Sequence, residues 1–159
     1  MKNYTILFLL TLSLFSISSC NSKKDIANQT LKSNAEDYLV LVESSNINVV
    51  EEKSIIIDNQ RDLIAFYEQL NATRSPAFEV PVVNFKAQSL IVVSMGEKNS
   101  GGFTVTAPQF IEEGEETYYK FRYQFPAKGS MVTMSMTTPG IVILANQPSD
   151  KISIRISKK

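Results

Sequence analysis

Tyr118-Tyr119-Lys120-Phe121-Arg122-Tyr123-Gln124-Phe125 is the run whose reading decides the fold class. Tyr119, Phe121, Tyr123 and Phe125 alternate with Tyr118, Lys120, Arg122 and Gln124. A period of two sends each set to one face of a strand, so the run predicts a half-buried antiparallel strand with an aromatic inner face. An aromatic row can also serve as a stacking platform for sugars or bases. The strict alternation assigns this one to a core.

On its C-terminal side, Pro126 to Gly129 reads as a turn and Met131 to Met136 as a strand. Val132, Met134 and Met136 share one side of that strand, and the three methionines are expected to fill gaps in a core. Thr138-Pro139-Gly140 then leads into an apolar strand, Ile141 to Ala145. Ile152, Ile154 and Ile156 alternate with Ser153 and Arg155 to close the series. On the N-terminal side, Glu112-Glu113-Gly114-Glu115-Glu116 is a turn, and Phe103, Val105 and Ala107 alternate with Thr104 and Thr106. Leu90 to Met95 is a continuous apolar run, the mark of a buried central strand. Ser75 to Pro81 is a proline-bounded loop. Leu63, Phe66, Tyr67 and Leu70 fall at helical spacing, with Asp58 or Asn59 as N-cap and Asn71 as stop. Tyr38 to Glu43, Ile47 to Val50 and Ser54 to Ile57 suit strands. The pattern predicts one mostly β, α+β domain over 38–159, an antiparallel β-sandwich or open barrel with one helix packed on it.

The 159 residues carry 16 basic and 16 acidic side chains, so formal net charge is zero. That balance argues against a nucleic-acid partner, which calls for a basic surplus on one face. There is no histidine, which removes Ser-His and Cys-His nucleophiles and the usual near-neutral general base. The single cysteine excludes an internal disulfide and a multi-cysteine metal site. No S-x-x-K or nucleophile-elbow motif stands out, and Ser22-Lys23 lies where no pocket could position it. No catalytic residue, metal or cofactor is expected.

Residues 1–19 read as a signal peptide. Lys2 supplies a positive start, and Ile6 to Ile17 is an apolar run too short to span a bilayer comfortably. Ile17-Ser18-Ser19-Cys20 resembles the lipobox of bacterial lipoproteins. That resemblance implies lipidation of Cys20, cleavage before it, and anchorage through two or three acyl chains, which hold a protein stably. Residues 20–37 are polar and read as an acylated flexible tether. Asn21 stands where an Asp would resemble an inner-membrane retention signal, which favours the outer membrane. The expected address is the bacterial cell envelope.

Gly96-Glu97-Lys98-Asn99-Ser100-Gly101-Gly102-Phe103 is the most specific motif in the chain. It resembles the G-x-K-P-T-G-G-Y signature of the PrcB C-terminal-domain family of protease-complex subunits. Val82-Val83-Asn84-Phe85 is similar to that family's V-D-F step, Pro126 and Gly129 to its P-x-x-G turn, and Thr138-Pro139 to its T-x-P element. The departures are Asn99 for proline, Ser100 for threonine and Phe103 for tyrosine. The resemblance covers about residues 80–146. It implies a non-enzymatic envelope protein that binds or assembles with a partner, with an envelope protease as one candidate.

The expected contact residues are Asn99, Ser100, Gly101, Gly102 and Phe103, with Thr138 and Pro139 beside them. Two glycines permit positive φ and close backbone approach, and the amides of Ser100, Gly101 and Gly102 could receive a carboxylate or a strand edge. The competing reading is a hairpin turn. The loop also distantly resembles the N-P-T-T-G-aromatic loop of chagasin-like protease inhibitors. That family's R-P-aromatic segment is missing here. Protease inhibition and a passive structural role are the alternatives to a binding module. The Glu112 to Glu116 cluster lacks a calcium-loop pattern and reads as a solvated turn.

Overall fold

The computed structural model describes residues 37–114 and 116–158. Along the chain these form β1 (Tyr38–Ser44), β2 (Glu52–Ile57), α1 (Gln60–Asn71), β3 (Ser89–Met95), β4 (Thr104–Glu113), β5 (Glu116–Gln124), β6 (Gly140–Ala145), a 3-10 turn (Ser149–Lys151) and β7 (Ser153–Lys158). Residues 1–19, with the expected signal peptide, and Cys20 lie outside the described residues, as do all but Asp37 of the expected tether.

β3 and β6 are buried along their full length, because almost every position is branched, apolar or small. They pair antiparallel from Ser89 opposite Ala145 to Ser94 opposite Gly140. β1 flanks β6 and β2 flanks β3, both antiparallel, giving the order β1-β6-β3-β2. One face of this sheet carries α1, whose Leu63, Phe66, Tyr67 and Leu70 pack with Val42, Leu90, Val92 and Leu144. The other face carries Val40, Ile91, Val93, Ile141 and Ile143 against Tyr119, Phe121 and Tyr123 of a second sheet. That sheet has the order β4-β5-β7. The result is a helix on a two-sheet sandwich, open rather than closed into a barrel.

The second sheet is mixed: β4 and β5 form an antiparallel hairpin, whereas β5 and β7 run parallel. Three phenols tie the two sheets together. Tyr38 Oη donates to the Pro108 carbonyl (2.8 Å), Tyr119 Oη to that of Asp37 (2.9 Å), and Tyr123 Oη to that of Ser94 (3.0 Å). A buried phenol needs such a partner, and here the partner always lies in or next to the opposite sheet.

Two predicted strands are absent. Ile47 to Val50 has no ladder: Asn46 makes an isolated bridge to Thr138, and Ile47 and Val49 are buried from an irregular segment turned by Asn48 at φ 56°. Met131 to Met136 also pairs with no strand. β3 and β6 are direct neighbours, so this segment crosses outside the sheets, and its methionines are not in the core. Phe125 departs from the aromatic row as well. The ladder ends at Gln124, and Phe125 is 45% exposed.

Candidate functional site: an apolar face at the glycine loop

β3 ends at Gly96, whose φ of +72° favours glycine and where a Cβ would stand 2.7 Å from the Glu52 amide nitrogen. The chain then leaves the sheet and joins the 130–138 segment. Lys98 and Thr137 exchange backbone hydrogen bonds, each 2.8 Å. Thr137 Oγ1 donates to the Ser100 carbonyl at 2.8 Å, and the Gly101 amide donates to the Thr133 carbonyl at 2.9 Å. Gly102 sits at φ +87°, and a Cβ there would meet Pro126 Cβ at 2.9 Å and Val132 Cγ1 at 3.0 Å. The two glycines let one loop lie against another. The Gly101 amide is thereby consumed within the protein and does not wait for a ligand.

Thr138 and Pro139 are both buried, with Thr138 at the wall of the groove beside Met136. The Thr138 hydroxyl accepts from the Asn48 amide at 3.0 Å and donates to Asn46 Oδ1. Its amide and carbonyl pair with Ser45 and Ile47, and the Pro139 carbonyl accepts from the Met95 amide. These two residues brace the crossover into β6. Of the other expected residues, Asn99 and Gly102 are exposed, and Ser100, Gly101 and Phe103 are half-buried. Phe103 stands edge-on to Phe125 with ring centroids 6.0 Å apart, and Lys98 Nζ lies 6.0 Å from the Phe103 ring centroid.

The structure adds what the sequence reading missed. Met131 is 101% exposed, Met134 96%, Met136 61%, Phe125 45% and Val132 37%. Single exposed apolar residues are ordinary, whereas here five fall within twelve positions of a segment held at Thr133 and Thr137. Val50 is also exposed, and with Met136, Asn48, Gln69, Thr73 and Glu97 it lines an adjoining groove of about 390 Å³. The sequence signal was present in Met-x-x-Met-x-Met. Alternation states which residues share a side, not whether anything covers it.

The groups whose pKa values are shifted lie away from this face. Tyr38, Tyr67, Tyr119 and Tyr123 have pKa values raised by burial, and Asp62 is lowered chiefly by its hydrogen bond from Asn59. None of them belongs to the 97–103 or 125–137 segments. Among the described residues, no three His, Cys, Asp or Glu side chains gather as a metal site. The acidic turn is an ion-paired surface instead: Arg155 Nη2 lies 2.7 Å from Glu116 Oε2, and Glu115 is outside the described residues.

A family model described as PrcB C-terminal matches residues 89–144, from β3 through β6, and so spans both segments of this face. No curated protein and no solved structure matches the chain.

Proposed function

We propose, from the match of residues 89–144 to the PrcB C-terminal family, that the chain is a non-enzymatic protein-binding module of the bacterial cell envelope. The observation that carries this reading is the exposed patch of Phe125, Met131, Val132, Met134 and Met136. Unbranched methionine side chains adapt to an apolar partner surface. The bridges at Lys98–Thr137 and Gly101–Thr133 hold the segment in place, so docking orders little new backbone. The partner is a protein, with an envelope protease as the first choice. The family's tie to protease complexes supports that choice. The lipobox at Ile17 to Cys20 supports an acyl anchor, and Asn21 supports the outer membrane. The absence of histidine from the sequence supports a non-catalytic role.

The test is crosslinking of the anchored protein in cells of the producing bacterium, followed by affinity capture and mass spectrometry. The control carries Met131→Asp and Met134→Asp. Both side chains project into solvent, so thermal stability should stay within about 0.5 kcal/mol of the parent. One dominant partner, lost from the variant, is the expected result. Equal capture by both proteins would remove this face as the contact site.

A further inference from the structure

Among the described residues, methionine supplies the soft donor atoms, and three of the four described methionines stand within Met131-Val132-Thr133-Met134-Ser135-Met136. The fourth, Met95, is buried in the core. A thioether sulfur is neutral, polarizable and a weak hydrogen-bond acceptor. It is a poor ligand for hard cations and a good one for Cu(I). We propose that Met131, Met134 and Met136 form a three-thioether site for a soft monovalent ion, Cu(I), with Ag(I) as its stand-in.

Three features of the segment support this. All three side chains extend into solvent rather than into a core, so the sulfurs are free to bind. The backbone is held on both sides of Met134 and Met136, at Thr133 by the Gly101 amide and at Thr137 by Lys98 and Ser100. Met134 and Met136 flank a bend at Ser135, and methionine's three rotatable side-chain bonds give each sulfur a wide reach toward a shared ion. Met131 stands on the far side of Thr133, with its side chain fully exposed. Finally, Ser130, Val132, Thr133, Ser135 and Thr137 carry no charge. No carboxylate in the segment attracts a hard cation, and Lys98 directs its ammonium toward the Phe103 ring.

Thioethers also release no proton on binding. Affinity should therefore be flat with pH, whereas thiolate, imidazole or carboxylate sites weaken in acid. The test uses the full chain in detergent micelles, isotope-labelled at the methionine methyls and titrated with silver nitrate in chloride-free buffer. The titration is run at about pH 7 and again at about pH 5. The methyl signals of Met131, Met134 and Met136 should shift saturably with the same midpoint at both values, while that of Met95 stays fixed. Met131→Leu, Met134→Leu and Met136→Leu together should abolish the saturable site. The proposal is overturned if none of the three signals moves saturably. It is equally overturned if silver binding persists unchanged in the triple variant.

Discussion

Ser94 shows how one hydroxyl can decide a local geometry. It is fully buried near the end of the apolar run of β3. Its Oγ donates to the Val49 carbonyl at 3.0 Å and accepts from the Gly96 amide at 2.9 Å, joining the buried irregular segment to the turn that starts the glycine loop. Ser94→Ala leaves both backbone groups without that partner. We expect a loss of about 2 kcal/mol in denaturant unfolding, with the midpoint shifted and the slope unchanged. An unaltered midpoint would mean that water or a backbone shift replaces the hydroxyl. Other residues show where the sequence stopped being readable. Gly101 and Gly102 announce an unusual backbone, but the atoms that demand it belong to Pro126, Val132 and Thr133, tens of residues away. Thr138 and Pro139 are recognisable as a motif. Their burial under Asn46 and Asn48 follows from a long-range bridge that no local pattern encodes.

Among the elements, α1 was the most legible, because its signals are local. Asn59 Oδ1 accepts from the Asp62 amide at 3.0 Å, and Asn59 Nδ2 donates to Asp62 Oδ2 at 2.9 Å. The same contact holds the Asp62 carboxyl below its ordinary pKa. Asn59→Ala should lower stability by about 1 kcal/mol, measurable as a fall in melting temperature. An unchanged melting temperature would show that the tertiary contacts of Leu63, Phe66 and Leu70 set the helix start without the cap. β3 and β6 were legible for a related reason, since unbroken apolar runs have few places to go but a sheet centre. The 131–136 segment carries a strand-like alternation, yet it pairs with none of the four open edges, β1, β2, β4 and β7. Strand pairing is a property of partners, and the parallel β5–β7 pairing was hidden for the same reason.

The sandwich as a unit depends on phenols that stay protonated. Tyr38, Tyr119 and Tyr123 donate across the gap between the sheets, and an ionised phenolate could not. Burial pushes Tyr67 and Tyr123 up to about 12 from the ordinary 10.0, and it raises Tyr119 and Tyr38 too. The unfolded chain then releases these protons at lower pH than the folded one does. Their contribution to stability is therefore complete below about pH 10 and falls as pH climbs toward 12. Titration with alkali should give one cooperative step in which tyrosinate absorbance rises as circular dichroism is lost. Tyrosinate appearing well before any loss of structure would show that the phenols ionise in place.

The direction in which the chain enters the sandwich has its own consequence. Tyr38 begins β1 opposite Ala145, whereas Ser44 ends it opposite Gly140, beside the crossover that carries the methionines. Anything fastened upstream of Asp37 therefore grips the domain by its heel, with the methionine face at the toe. Under the proposed anchor at Cys20, the methionine face would lie at the end of the domain farthest from the point where the tether joins it.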